Sequence, residues 1–136
     1  MENEEIKLSN KEIKFLQNNE ICRVATSYND IPHVVPVCYI FWKNCIFFAT
    51  DYQTKKYKNI LKNNRISIII DVYDKTNGNK ALFIQGLGSI IEKGEEFKNI
   101  YDIFEKKFIW VKKDPWKENE APFVKVHIKK KIEWGL

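Results

Sequence analysis

V-A-T-S-Y-N-D-I-P-H-V-V-P-V-C-Y-I-F-W-K-N-C-I-F-F-A-T-D-Y-Q-T-K-K-Y-K-N, residues 24–59, decides the fold. Three apolar runs rich in β-branched and aromatic residues are separated by two short polar turns, Asn29-Asp30 and Lys43-Asn44. Such spacing predicts two consecutive hairpins. Thr50 ends the third run, and a basic helix-forming segment follows it. The order strand, hairpin, strand, hairpin, strand and helix start, with Lys55 and Lys56 at that start, suits an anion such as a phosphate.

The middle run contains Pro32 and Pro36. Proline cannot donate to a strand ladder. Pro36 therefore predicts an edge, a bulge, or something other than a strand lying alongside.

Working outward, Ser9 followed by Glu12 has the spacing of a capping box, and a short amphipathic helix is expected over residues 10–18. Strands are expected over residues 21–28, 31–41, 45–50, 65–73, 80–91 and 123–128, with residues 131–134 extending the last. Thr54 is a good N-cap for a helix over residues 54–63, whose apolar stripe is Tyr57, Ile60 and Leu61. A second amphipathic helix is expected over residues 95–107, with Phe97, Ile100, Tyr101 and Phe104 inward. Gly86 and Gly88 predict a bend or a close backbone approach within their strand. Residues 114–122 read as a polar loop. The fold class is mainly β: six largely antiparallel strands in a small closed or half-closed barrel, with short helices outside. No repeat or boundary divides the chain, so residues 1–136 read as one domain.

Charge and composition narrow the function. Twenty-three Lys and Arg against eighteen Asp and Glu give a net charge of +5, which suits an acidic partner. Lysine and glutamate interleave, however, and no arginine-rich stretch appears, so nucleic-acid binding ranks last. No apolar run is long enough to span a membrane. The acidic start, residues 1–5, lacks the features of a signal peptide. Cys22, Cys38 and Cys45 form no C-x-x-C and read as reduced thiols of a cytoplasmic protein. No metal cluster, P-loop, dinucleotide fingerprint or G-x-S-x-G is present, and His33 and His127 read as ordinary strand residues. What remains is a phosphate-sized site made of Thr50, the start of the helix at Thr54, and Lys55 and Lys56.

Four pieces carry a resemblance: R-V-A-T-S-Y-N-D-I-P-H-V-V-P-V, I-F-F-A-T-D-Y-Q-T-K-K-Y-K-N-I-L-K-N-N-R-I-S-I, F-I-Q-G-L-G-S-I and V-K-V-H-I-K-K-K-I-E-W-G. In this order they resemble the pyridoxamine 5'-phosphate oxidase-related, FMN-binding split-barrel superfamily, over nearly everything from Arg23 to Gly135. The T-x5-K spacing from Thr50 to Lys56 is the strongest part.

The resemblance implies a six-stranded split barrel, a homodimer, and FMN at the subunit interface. It places Val34, Val35, Pro36, Val37, Cys38 and Tyr39 along the flavin ring, and Ala49 and Thr50 beside the ribityl phosphate. Lys55 and Lys56 match the pair gripping that phosphate. Lys80 and Ala81 match a contact from the neighbouring subunit, and Trp134 a tryptophan that approaches the flavin. Catalytic residues stay unassigned.

Two departures separate the chain from the family's oxidases. Val34 stands where they carry an arginine, and the chain stops at Leu136, before their basic substrate motif. The expectation is an oxidoreductase working through bound flavin with a small-molecule electron donor or acceptor, and not pyridoxamine phosphate oxidation. Alternatives are an F420-dependent reductase of the same fold, or a flavin- or haem-binding module without turnover.

Overall fold

A computed structural model describes residues 6–136. The acidic residues 1–5 discussed above lie outside the described residues. Strands β1 (Ile21–Tyr28), β2 (Ile31–Trp42), β3 (Cys45–Ala49), β4 (Arg65–Asp74), β5 (Gly78–Ile91) and β6 (Phe123–Trp134) form an antiparallel ring. Its order is β1-β2-β3-β6-β5-β4, closing back onto β1. Helices α1 (Asn10–Gln17), α2 (Lys55–Lys62), α3 (Glu95–Lys107) and α4 (Trp110–Lys113) surround it. The single turn of α4 was not expected from the sequence. No described helix is long and apolar enough to cross a membrane.

Both predicted hairpin turns have positive φ at their two central residues: 54° and 61° at Asn29 and Asp30, 49° and 60° at Lys43 and Asn44. That backbone twist matches the twist of paired strands, so the turns set the β1–β2 and β2–β3 registers. Ser9 and Glu12 form the expected capping box. Gly86 sits at a bulge between β5 and β6, where an added Cβ would fall on the carbonyl of His127.

The barrel interior is filled from alternate strand positions, including Val24, Phe48, Ile68, Leu82 and Val124. Leu16 of α1 and Ile60 of α2 join this core. A second apolar layer lies outside the ring, where Ile100 and Phe104 of α3 meet Ile40, Phe47 and Phe123. β3 is sandwiched between the two layers. Cys45 to Phe48 are all buried for that reason, and their sequence shows no polar alternation.

Candidate functional site

β2 changes neighbour along its length. Against β1 it is in register from Ile31 to Cys38. Against β3 it is in register only from Tyr39 to Trp42. β3 stops at Ala49 because Thr50 leaves for the turn to α2, its N–H donating to the carbonyl of Pro122 at 3.1 Å. Residues 31–38 of β2 consequently keep one unpaired edge.

The prolines fit that edge. Tyr39 N–H donates to the Glu20 carbonyl at 3.2 Å, which turns the odd-numbered backbone groups of β2 toward β1. The even-numbered groups of Pro32, Val34, Pro36 and Cys38 turn away from β1. Neither proline has an N–H that the missing neighbour would have used. Side chains alternate too. Val35 and Val37 share the inner face with their register partners Val24 and Cys22. Val34, Pro36 and Cys38 share the outer face with Ala25, Arg23 and Ile21, and Val34 is 63% exposed. Tyr39 lies beyond the open edge: it is fully buried, its hydroxyl donates to the Leu16 carbonyl at 2.6 Å, and its own carbonyl accepts from Lys107.

Where the edge ends, the anion-suited turn begins. Extending the β2–β3 register sets Cys38 level with Ala49, and Thr50 follows. The Thr50 and Thr54 hydroxyl oxygens are 2.8 Å apart. Thr54 donates to the Asp51 carbonyl at 2.8 Å and accepts from Tyr57 N–H at 3.3 Å. With its proton committed to Asp51, Thr54 receives the proton of Thr50. The N–H groups of Lys55 and Lys56, in the first turn of α2, are left for an outside acceptor. Lys55 is exposed and Lys56 is half-buried. Burial lowers the Lys56 pKa, and Asp51 nearby opposes that shift. A lysine held partly out of water with no bonded carboxylate gains more from an anion than a solvated one does.

Sequence reasoning missed what holds this turn in place. Asn59 is buried on the inner side of α2, and its amide donates to the Thr26 hydroxyl of β1 at 3.1 Å. Asn63 donates to the Ser27 carbonyl at 3.1 Å. Tyr52 packs edge-on against Tyr57 and donates to Glu92 at 2.7 Å. The signal was present in N-I-L-K-N-N-R, where asparagines stand next to the apolar stripe. Ala49, Thr50 and Asp51 line a recess of about 290 Å³ whose far wall is Trp110 and Trp116. Those two rings stack with centroids 6.3 Å apart.

The remaining expected site residues lie elsewhere. Trp134 pairs with Ala81, and Lys80 is the next residue on β5. β5 stands across the ring from β2, so within one chain these three residues do not meet the Val34–Thr50 group. Among the described residues no disulfide joins the cysteines, and burial pushes the Cys22 thiol up to about 12. Among the described residues no group of three or more His, Cys, Asp or Glu could hold a metal.

A six-stranded antiparallel ring with one half-open strand leading into a capped, lysine-bearing turn defines a split-barrel protein. The family model for pyridoxamine 5'-phosphate oxidase matches residues 9–135, and the chain belongs to that family. No curated protein sequence matches it. Among solved structures, a conserved hypothetical protein of Mycobacterium tuberculosis is similar at 17% identity and TM-score 0.81, covering 96% of this chain and 86% of that one. The haem-storage protein HutZ of Vibrio cholerae is similar at 15% identity and TM-score 0.79, covering 93% and 94%. A FAD-binding protein of Mesorhizobium loti is similar at 20% identity and TM-score 0.75, also covering 93% and 94%.

Proposed function

We propose that this chain is an FMN-binding oxidoreductase that works as a cytoplasmic homodimer. The observation that carries the reading is the continuity between the unpaired β2 edge and the Thr50–Lys56 turn. A flat heterocycle with polar edges matches a row of unpaired backbone groups beside Val34 and Pro36. Its phosphate tail matches the first-turn amides of α2 together with Lys55 and Lys56. FAD-binding relatives support a flavin in this fold.

Bound flavin supplies the hydride and electron chemistry. The chain's own residues bind and orient. Thr50 fixes Thr54, Thr54 fixes the start of α2, and Lys56 neutralises the phosphate. Val34, Pro36 and Cys38 offer an apolar face to the ring. Val34 brings no charge where the family's oxidases carry an arginine, so pyridoxamine phosphate oxidation is not the proposed reaction.

The second copy is part of the reading. Ile31, Val34, Ile132 and Trp134 are exposed apolar side chains, at 62%, 63%, 47% and 43%. Burying them against a partner removes that surface from water, and brings Lys80, Ala81 and Trp134 of one subunit toward the open edge of the other.

The test is FMN uptake by the purified protein, followed by visible absorption. Retained flavin with a perturbed spectrum is expected, at one per chain. Lys56→Ala is expected to weaken FMN while leaving riboflavin nearly unchanged; equal loss of both removes Lys56 from the phosphate role. F420, favoured by the +5 charge, is judged by competition against FMN. A Soret band in place of flavin bands would indicate a haem carrier, as the likeness to HutZ allows.

A further inference from the structure

A second recess, of about 350 Å³, opens at the Cys38 end of the unpaired edge. Ile21, Phe108, Ile109 and Trp110 make it largely apolar, and Lys107 is its one cation. The Lys107 ammonium is fixed rather than waving in solvent. It donates to the Tyr39 carbonyl at 3.0 Å and lies 4.2 Å from the centre of the Tyr39 ring. Phe108 lies under it as well, at 5.4 Å. None of the four ion pairs among the described residues includes Lys107. One carbonyl takes one of its three donors, and aromatic faces cannot satisfy the rest as an anion would. Trp110 walls the recess beside Cys38, its ring centroid 6.3 Å from that of Phe108.

We propose that this recess binds a small aromatic carboxylate, its anion on Lys107 and its flat body between Trp110 and Ile21. One fixed cation in an apolar pocket matches a monoanion with an apolar body. A dianion such as a phosphate fits poorly: Lys107 is the single positive group there, and Glu20 at the rim repels added charge. Burial lowers the Lys107 pKa, Glu20, Cys22 and Cys38 opposing it, so the cation is already desolvated before a ligand arrives. Cys38 belongs both to this recess and to the edge proposed for the flavin ring. A bound carboxylate would therefore lie beside that ring, as a substrate or a competing ligand would.

The recess is formed by residues of one chain, so the inference stands apart from the flavin reading and is tested without flavin. Calorimetric titration of the flavin-free full chain with 2-naphthoate and with uncharged 2-naphthamide isolates the charge. Saturable naphthoate binding is expected, at least about tenfold tighter than naphthamide. Lys107→Met is expected to abolish that gap while still binding the amide, which shows that the pocket remains folded. Lys107→Arg should keep most of the gap, and Lys129→Met, on a lysine outside the recess, should change neither ligand. Equal affinity for acid and amide in the natural chain, no saturation at millimolar ligand, or a gap that survives Lys107→Met would overturn the proposal. Flavin uptake with no carboxylate binding would sink this inference alone, and the reverse would sink the flavin reading alone.

Discussion

The two halves of β2 obey different rules. Tyr39 to Trp42 pairs with β3, Tyr39 also donates to the Glu20 carbonyl on the other side, and Tyr39 and Ile40 are buried. Ile31 to Cys38 has one neighbour, two prolines and an exposed apolar outer face. The first half of the strand is built to leave a ladder unfinished; the second is built to finish it. Stability concentrates where hydrogen bonds and side chains are both satisfied, and binding potential where they are not.

The largest expected effect tests that division. Tyr39→Ala removes a fully buried ring and its hydroxyl bond to Leu16. It should cost about 3–5 kcal/mol in urea unfolding. Val34→Ala, on the open half, should stay within about 0.5 kcal/mol. Comparable losses at the two positions would erase the contrast.

Lys56→Ala comes next, expected to weaken FMN about 10- to 100-fold, the worth of one charge-assisted hydrogen bond of roughly 1.5–3 kcal/mol. Equilibrium dialysis against FMN and riboflavin in parallel reads it. Because burial depresses the Lys56 pKa, FMN affinity should also begin to fall at a lower pH than exposed lysines would allow. A flat affinity profile through the alkaline range would detach Lys56 from the phosphate.

Asn59→Ala leaves the Thr26 hydroxyl without its buried partner and loosens α2 from β1. A loss of about 1–3 kcal/mol is expected, with weaker FMN binding although no contact residue has changed. Unchanged FMN affinity in a destabilised variant would show that the turn holds its shape without Asn59.

The smallest effect lies far from the edge. Burial pushes the Glu12 carboxyl up, but bonds from Lys131, at 2.6 Å, and from Ser9 outweigh it and leave the pKa lowered. A depressed carboxyl contributes stability above its unfolded pKa of about 4.5 and loses it as pH falls through the folded value. Glu12→Gln should therefore unfold at lower urea than the natural chain at pH 7, and the two midpoints should converge toward pH 3. A constant difference across that range would assign the effect to something other than charge.

Much of this was legible in the sequence, for local reasons. Asn29-Asp30 and Lys43-Asn44 fixed both hairpins because positive-φ turns favour asparagine and aspartate. Ser9, Thr54 and the stripe in α3 marked helices by capping and period. Pro36 announced an edge, but could not say whether a bulge or a missing neighbour explained it; the answer depends on where β3 stops. Thr50, Thr54 and the two lysines announced an anion-suited turn. Lys107 and Trp110 were invisible as site residues, since a lysine ending a helix and a tryptophan in a short turn are ordinary. Only the return of α3 across β2 brings them to Cys38. Asn59 was invisible for a similar reason, its partner Thr26 being 33 residues away.

Hydrogen exchange on the segment around residues 32–38, with and without FMN, reaches the central claim most directly. The even-numbered amides of Val34 and Cys38 should exchange quickly in the free protein and slow markedly with FMN, together with the first turn of α2. Amides of Tyr39, bonded to Glu20, and of Ile40, paired with Phe47 of β3, should hardly change. If FMN slows neither Val34 nor the start of α2, or protects another part of the ring instead, the open edge is not the flavin site.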